Sequence, residues 1–372
     1  MRKLIASLLA IVLLCLPDVG HALRPDRAFH HYVRGNWSIQ DGLPQISASS
    51  IAQDRDGYLW VGTFSGLARF DGVRFVSYTP ESAPGLPGVW IRALHLARDG
   101  KLWVGTYKGV AVYDGKGFTP MPAADAQRWP VLEITAFAED VNGRMWVATT
   151  SGVFRADTGR LHAVPGSPTL AQSLLTREDG MWVGTRGAVH RVTTGDRWQT
   201  QLLPEEVATT AISRLVETQG RLWAATALGL FTRGPEGWKR FDLPPQLTGA
   251  LIGMLYADSD GNLWAGGDTG LVRIRDGHVT EFIDPAGPGG IPDLRVAFED
   301  REKNLWLGSQ SEGVTRLRDS WTRRFSTPEG LGNRLLWAVA RPYRLSRSRA
   351  SSRGAPRLPA IAAARRRTAS RR

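Results

Sequence analysis

The 372-residue chain has one cysteine, Cys15, which lies in an apolar N-terminal run. Removal of that run would leave no cysteine, and hence no disulfide and no cysteine-ligated metal. The seven histidines are scattered, and no pair has the spacing of a zinc-binding helix. A Walker loop, a nucleophile elbow and a dinucleotide fingerprint are also lacking. We therefore assign no catalytic residue, metal or cofactor, and we expect a protein that is not an enzyme.

Acidic residues are absent from residues 341–372, which contain eleven arginines. The chain carries 47 Lys and Arg against 35 Asp and Glu, so without this segment the count is 36 against 35, a net charge of about +1. A nearly neutral body lacks the basic footprint of a nucleic-acid-binding protein, and we expect no nucleic-acid partner. Residues 342–372 cannot build a core from Arg, Ala, Ser and Pro, which predicts a disordered tail.

No apolar run is long enough for a typical membrane span, because the run from Leu4 to Leu16 is too short. Arg2 and Lys3 precede it, and the small-residue site Gly20-His21-Ala22 follows it. This order is typical of a secretory signal peptide over residues 1–22, which predicts a periplasmic protein. An uncleaved N-terminal anchor is the alternative.

The chain does contain a repeat, first seen as Leu59-Trp60-Val61-Gly62-Thr63. Its tryptophan returns at intervals of 43, 43, 36, 41, 41 and 42 residues. The seven copies are centred on Trp60, Trp103, Trp146, Trp182, Trp223, Trp264 and Trp306. A period in the forties with one tryptophan per unit indicates a repeat architecture.

Each unit alternates turn signals with short β-prone runs. In the first unit, Asp56-Gly57, Phe64-Ser65-Gly66 and Asp71-Gly72 are the turns, and they delimit four short strands. A sheet of four short strands cannot bury its faces alone. The sequence therefore predicts an all-β, seven-bladed β-propeller over residues 29–326, with four antiparallel strands per blade. The tryptophans should fill the gaps between blades, and the small residue two positions after each should allow close approach.

The segments before and after the repeats carry related patterns. Trp37-Ser38-Ile39-Gln40-Asp41-Gly42-Leu43 resembles Phe325-Ser326-Thr327-Pro328-Glu329-Gly330-Leu331. The N-terminal segment should therefore act as an outer strand beside the last blade and close the ring. Residues 327–341 read as the start of a further, incomplete repeat. Because that repeat stops in mid-unit, we expect a truncated or frame-shifted end.

The run Asp258-Ser259-Asp260-Gly261-Asn262 invites a calcium-loop interpretation. Thr269 stands where the closing glutamate of such a loop belongs. We therefore expect an inter-strand hairpin and no metal at this position.

The turn after each repeated motif begins with a residue of variable chemistry, in an otherwise regular unit. These positions are Phe64, Tyr107, Thr150, Arg186, Ala227, Asp268 and Gln310. In a propeller these turns share a face with the loops between blades, which add Trp90, Arg92 and Trp129. We predict a ligand site formed by Tyr107, Arg186, Asp268, Gln310, Trp90 and Trp129, suited to a small molecule or glycan. Solvated loop residues without a binding role are the alternative.

The repeat resembles the two-component regulator propeller family. The resemblance is carried by Asp41-Gly42-Leu43-Pro44, by Gln53-Asp54-Arg55-Asp56-Gly57-Tyr58-Leu59-Trp60-Val61-Gly62-Thr63 and by Gly66-Leu67-Ala68-Arg69-Phe70-Asp71-Gly72, and it covers roughly residues 29–340. The pattern departs modestly from the family at Gln219 and at Lys303-Asn304.

The resemblance implies an extracytoplasmic input domain. Such domains usually precede a β-sandwich, a transmembrane helix and an output module, commonly a hybrid histidine kinase or a diguanylate cyclase. None of these parts is visible in the sequence, so we expect a sensor propeller without its output domain. A propeller lyase or hydrolase with an axial active site and a protein-binding scaffold are the alternatives. The oligomeric state stays open.

Overall fold

The computed structural model describes Leu23, residues 27–193 and residues 195–319. These residues all belong to one compact unit that ends at Arg323. The predicted signal peptide (1–22), the incomplete repeat (327–341) and the Arg-rich tail (342–372) lie outside the described residues. Within the described ranges, no helix has the length and apolarity needed to cross a membrane.

Twenty-eight short strands, numbered in chain order, and four short 3-10 helices make up the described structure. The strand β1 (Val33–Trp37) precedes the first repeat. The innermost strands of the seven blades are β2 (Ala48–Gln53), β6 (Ile91–Leu96), β10 (Ile134–Glu139), β14 (Ser173–Arg177), β18 (Ile212–Thr218), β22 (Ile252–Ala257) and β26 (Leu294–Glu299). The second strands, which carry the tryptophans, are β3 (Leu59–Thr63), β7 (Leu102–Thr106), β11 (Met145–Thr149), β15 (Gly180–Gly184), β19 (Arg221–Thr226), β23 (Leu263–Gly267) and β27 (Leu305–Ser309).

The third strands are β4 (Gly66–Phe70), β8 (Val110–Tyr113), β12 (Gly152–Asp157), β16 (Ala188–Thr193), β20 (Gly229–Gly234), β24 (Leu271–Arg275) and β28 (Val314–Arg318). The outer strands of blades one to six are β5 (Phe75–Tyr78), β9 (Phe118–Met121), β13 (Arg160–Ala163), β17 (Arg197–Leu202), β21 (Gly237–Arg240) and β25 (His278–Ile283). The 3-10 helices are Phe29–His31, Ile39–Asp41, Glu205–Val207 and Pro245–Leu247.

The strands form seven antiparallel sheets of four strands each, which confirms the predicted seven-bladed propeller. Within the first blade, Ala48 pairs with Thr63 and Leu67 pairs with Tyr78. The turn between the second and third strands therefore lies at the same end as the start of the inner strand and the exit of the outer strand. We call this end the turn face.

The ring is closed by the N-terminal segment, as the sequence predicts. Strand β1 pairs antiparallel with β28, with Trp37 opposite Val314, and supplies the outer strand of blade seven. The Trp37 ring packs 5.2 Å from the Trp306 ring and 5.0 Å from the Phe70 ring. One side chain therefore contacts the last blade and the first, which makes the closure a packed interface as well as a hydrogen-bonded one.

A polar contact anchors the chain before β1 to blade six. The buried guanidinium of Arg273 donates to the carbonyl of Arg27 and to the Tyr32 hydroxyl, and it pairs with Glu281 at 2.8 Å. Glu281 also accepts from the backbone amide of Phe29 at 2.7 Å. Because residues 27 and 29 sit on blade six and β1 sits on blade seven, the N-terminal segment links the two blades.

All seven repeat tryptophans are buried, with exposed fractions between 0 and 7%. The Trp60 side chain packs with Ile91, Leu102 and Val104 of the next blade, which confirms the predicted role in inter-blade packing. The small residue two positions after the tryptophan allows the close approach of neighbouring blades, as predicted. A Cβ on Gly62 would lie 2.7 Å from Cγ2 of Ile91 on the next blade, so a larger residue would force the blades apart.

An aspartate in the first hairpin of the blade holds the tryptophan in place. In blade one, Oδ2 of Asp54 accepts from Nε1 of Trp60 at 2.7 Å, while Oδ1 accepts from the amides of Asp56 and Tyr58. The same carboxylate–indole bond joins Asp140 to Trp146, Asp179 to Trp182, Asp258 to Trp264 and Asp300 to Trp306, at 2.6–3.0 Å. One carboxylate thus holds both the hairpin and the indole side chain that packs between two blades.

The predicted calcium-like run is such a hairpin. It joins β22 to β23, and Asp258 accepts from the amides of Asp260 and Asn262 and from the Asn262 side chain, as well as from Trp264. Both carboxylate oxygens of Asp258 therefore bind protein N–H groups. Burial raises the pKa of the Asp258 carboxyl above its usual value, with the hydrogen bonds acting in the opposite direction.

Replacing Asp300 with Ala tests the role of this bond. Trp306 Nε1 and the amide of Asn304 would lose their acceptor in a buried setting. Since an unsatisfied buried donor costs about 1–3 kcal/mol, we expect the free energy of unfolding to fall by roughly 3 kcal/mol in denaturant titrations. Asp99→Ala is the matched control, because Asp99 is 53% exposed and its side chain binds only Lys101 among the residues that the structure describes. Equal losses in the two variants would contradict this role.

Candidate functional site

The turn face presents its variable residues on a fixed frame. In blade one, the Thr63 hydroxyl donates to the carbonyl of Gly66 at 2.8 Å and accepts from the amide of Ser65. The corresponding hydroxyl makes the same first bond in four other blades, at Thr106, Thr149, Thr185 and Thr226. In blade seven the Ser309 hydroxyl instead donates to the carbonyl of Pro292 and accepts from the amides of Ser311 and Glu312. The hydroxyl fixes the turn locally, so the residue that follows can vary without loss of the fold.

A ring of residues from the inner strands surrounds the axis just below this face. In six blades the pairing of the inner and second strands shifts by one residue, which leaves an extra residue in the inner strand. Such a bulge re-aims a side chain. The extra residues are Ser49, Arg92, Thr135, Ser213, Gly253 and Arg295, and Gln172 of blade four completes the ring.

All seven members of this ring line one cavity at the axis, with a volume of about 290 Å³. We call it the axial cavity. Its other lining residues are Ser47, Ala48, Phe64, Trp90, Arg214, Leu251 and Gln310. A second cavity of about 210 Å³ continues along the inner strands, and it shares Ser49, Arg92, Thr135, Gln172 and Arg214 with the first. The axis of the propeller is thus a lined recess that opens towards the variable turns.

Two of the six predicted ligand residues line this cavity, and two more contact its wall. Trp90 and Gln310 are lining residues. Tyr107 lies beside Trp90, with the ring centroids 6.2 Å apart and its amide donating to the Trp90 carbonyl. Asp268 pairs with Arg295 at 2.7 Å, and Arg295 also donates to Oε1 of Gln310 at 2.9 Å.

The remaining two predicted residues lie apart from the cavity lining. Arg186 is exposed at its turn, where it forms a backbone bridge with Ala211. Trp129 packs edge-on against Phe154, with centroids 5.6 Å apart, and joins the core between blades two and three. The structure therefore brings together Trp90, Tyr107, Asp268 and Gln310 but not Arg186 or Trp129. Ligand binding by any of the six stays a prediction.

Sequence reasoning missed most of the inner-strand ring. Apart from Arg92, its members lie outside the turns on which the prediction rests. The available signal was a polar residue at the start of an otherwise apolar strand, at a similar distance before each tryptophan. This polar residue faces the axis because of the bulge, since without the extra residue the same position would face a neighbouring blade.

The electrostatic character of the cavity comes from Arg92, Arg214 and Arg295. Arg92 pairs with Glu133 at 3.0 Å, and its guanidinium lies 5.1 Å from the Trp90 ring centroid. Burial first, and the positive charge of Arg92 second, lower the pKa of the Arg214 guanidinium from its ordinary value. No histidine, aspartate or glutamate stands among the described lining residues. In the ranges that the structure describes, no three His, Cys, Asp or Glu side chains gather as metal ligands would.

The family model of the two-component regulator propeller matches residues 42–65, 85–108 and 129–151. These segments cover the entry loop and the first two strands of blades one to three. Three of the seven repeats therefore match the model of the two-component regulator propeller family, as the sequence motifs predict. No curated protein sequence shows significant similarity to it.

Solved structures with the same fold include proteins of several kinds. The extracellular domain of a hybrid two-component system of B. thetaiotaomicron aligns with a TM-score of 0.66 and 20% identity, over 77% of this chain and 42% of that one. Streptogramin B lyase aligns at 0.61 and 15%, over 78% and 99%. YCF48, solved with D1 peptide bound, aligns at 0.58 and 15%, over 81% and 100%. At these identities the likeness shows the fold alone, and the chain spans less than half of the extracellular domain.

Replacing Thr135 with Val tests whether the ring also holds the blades together. The Thr135 hydroxyl donates to the carbonyl of Ala171 on the next blade at 2.6 Å. Since valine keeps the shape but removes the donor, we expect a loss of about 1–2 kcal/mol in the free energy of unfolding. Thr119→Val on the exposed outer strand β9 is the control, and it should change stability by less than about 0.5 kcal/mol. Indistinguishable unfolding curves for all three proteins would rule the contact out as a stabilising one.

Proposed function

We propose that this chain is the ligand-binding propeller of an extracytoplasmic sensor, similar to the input module of a hybrid histidine kinase or diguanylate cyclase receptor. The family repeats and the likeness to the extracellular domain of a two-component system support this role. The observation that carries it is the axial cavity, because its lining residues differ in chemistry from blade to blade although the strands that carry them repeat. Ligand sites in proteins are concave, mostly apolar and fitted with a few directed polar groups, as this cavity is.

Signalling follows from the way in which such a cavity is built. Every blade contributes at least one lining residue, so a ligand in the cavity contacts several blades at once. A ligand can shift a conformational equilibrium only through unequal affinity for the two states. Contacts to several blades make the affinity differ between two arrangements of the blades, because a relative displacement of the blades changes all of these contacts together. The output module that the family implies would then respond to the spacing of blades.

A propeller lyase is the second candidate, favoured by the likeness to streptogramin B lyase. Elimination needs a group that removes a proton, most often histidine, a carboxylate or lysine. The described lining of the axial cavity offers arginines, hydroxyls and an amide in place of such a base. This lining favours binding over catalysis. A peptide-binding scaffold is the third candidate, suggested by YCF48.

A thermal-shift screen of small molecules, oligosaccharides and peptides against the purified chain tests the binding role. For any ligand found, we expect Trp90→Ala and Gln310→Ala to weaken binding by at least about tenfold, or roughly 1.4 kcal/mol. Tyr107→Ala, Arg186→Ala and Asp268→Ala report on the turn residues, and Arg160→Ala on the outer strand β13 is the control. If none of the cavity and turn variants alters affinity, the ligand binds elsewhere. Chemical turnover of a bound ligand would instead favour the lyase.

Export is a separate proposal. It is supported by the N-terminal sequence pattern and by the extracellular location of the two-component domain with the same fold. Fusing the chain to alkaline phosphatase, which is active only outside the bacterial cytoplasm, should give an active reporter. Removal of residues 1–22 from the same fusion should abolish that activity. An active reporter without those residues, or an inactive one with them, would contradict export by this segment.

A further inference from the structure

Three arginines from three blades face the axial cavity, but they differ in their partners. Arg92 pairs with Glu133 at 3.0 Å, and Arg295 pairs with Asp268 at 2.7 Å. Within the described part of the chain, Arg214 donates only to the carbonyl of its own neighbour Ser213, at 2.8 Å. Among the described residues, no carboxylate lies within ion-pair distance of Arg214. The cavity therefore holds one cation without a counter-charge.

An arginine in this position is costly unless something else pairs with it. Taking a charge out of water is unfavourable by several kcal/mol, and the usual compensation in a folded protein is an opposite charge. At Arg214 the nearest charge effect is repulsive, since Arg92 lowers the pKa of its guanidinium. A bound anion would pair with the Arg214 guanidinium and offset its repulsion by Arg92.

The neutral polar groups of the cavity leave few donors for a ligand. The hydroxyls of Ser49, Thr135 and Ser213 donate to the carbonyls of Ile91, Ala171 and Ile252 on the neighbouring blades, at 2.6–3.1 Å. The Ser47 hydroxyl donates to the carbonyl of Gln310. These hydrogens are used within the protein, so the donors of the lining residues are mainly guanidinium N–H groups, the Gln172 and Gln310 amides and the indole N–H of Trp90. A donor-rich lining matches a ligand that is mostly an acceptor, which is the property of an anion.

The rest of the wall is apolar. Phe64 and Trp90 lie at the mouth with their ring centroids 5.0 Å apart, and Ala48 and Leu251 also line the cavity. The Arg92 guanidinium stacks on Trp90, so the aromatic wall and the cationic groups adjoin. A bare inorganic ion would leave this apolar surface uncovered. The ligand should therefore combine a charged group with an apolar body.

We propose that the axial cavity binds a small organic anion, whose charged group pairs with Arg214 while its apolar body contacts Phe64, Trp90 and Leu251. This inference rests on the proposed ligand-binding function and specifies the class of ligand. Arg214 is the specificity-determining residue, because Arg92 and Arg295 already have carboxylate partners.

Titration calorimetry on the full chain with matched probes tests this inference. Phenylacetate and phenylacetamide have the same shape but differ in charge, and inorganic phosphate has charge without an apolar body. We expect phenylacetate to bind at least about tenfold more tightly than the amide. We expect the affinity for phenylacetate to fall as salt is added, as ionic pairing requires. Inorganic phosphate should bind more weakly than phenylacetate, and equal affinity would overturn the role of the apolar wall.

Variants assign the preference to Arg214. Arg214→Gln should remove the preference for the acid over the amide, and Arg214→Lys should retain part of it, since a cation is kept without the planar fork. Arg160→Gln, an exposed arginine on β13, is the charge-matched control and should bind as the unaltered chain does. The Tm of Arg214→Gln should be equal to or above that of the unaltered chain, because an uncompensated charge is removed. An unaltered preference in Arg214→Gln would overturn the assignment.

The outcomes separate this inference from the proposed function. If the wider screen finds a neutral ligand that depends on Trp90 but the acid and amide probes bind equally, the binding function stands and the anion inference fails. If no molecule binds at the cavity, both fail. Binding of the acid that depends on Trp90 and Arg214 together supports both.

Discussion

The hydrogen bond between a hairpin carboxylate and a buried indole is the interaction on which this propeller depends. It recurs in five of the seven blades, from Asp54–Trp60 to Asp300–Trp306. A buried indole N–H needs an acceptor, and a buried carboxylate needs donors, so each group satisfies the other. The same carboxylate closes the first hairpin. The position of the hairpin is thereby linked to the packing of one blade on the next.

Two blades show how the arrangement tolerates changes in the hairpin, since blade five lacks this bond and blade seven keeps it with an altered turn. In blade five, Glu217 stands six residues before the tryptophan, as Asp54 does in blade one, but it pairs with Arg177. Nε1 of Trp223 is buried without a partner among the described residues. Trp223 still packs 5.0 Å from the Phe241 ring, which supplies apolar contact in place of the bond. In blade seven, Lys303 takes the positive φ of 66° that glycine takes elsewhere, and Asp300 still binds Trp306. Packing thus preserves the blade when a polar detail changes.

At the axis, strands that repeat in every blade carry lining residues that vary from blade to blade. The hydroxyls of the inner-strand ring hold adjacent blades together through their donors, which leaves the guanidinium groups as the main polar feature of the cavity. Arg214 serves no visible structural partner beyond its neighbour's carbonyl. Stability and binding are therefore assigned to different lining residues of the same cavity. Such a division allows the ligand preference of a propeller to change without loss of its fold.

The sequence by itself determined the architecture. A tryptophan every forty or so residues, turn pairs between β-prone runs and a small residue beside each tryptophan define blades, their number and their packing, because these features depend on contacts that repeat. The pairing of the N-terminal segment with the last blade followed from a shared local pattern. The loop residue Trp90 and the turn residue Gln310 could be placed on one face of the propeller, because the loops between blades and the turns after the second strands share that face.

Only the tertiary structure decided the content of the axial cavity. Whether Ser49, Thr135 or Arg214 faces the axis depends on a one-residue bulge that pairing of strands reveals and spacing does not. Whether an arginine has a partner depends on residues that are distant in sequence, as with Asp268 and Arg295. Trp129 packs into the core although, like Trp90, it stands in a loop between blades. Repetition fixes the frame, whereas the direction of each side chain is set by neighbours that differ from blade to blade.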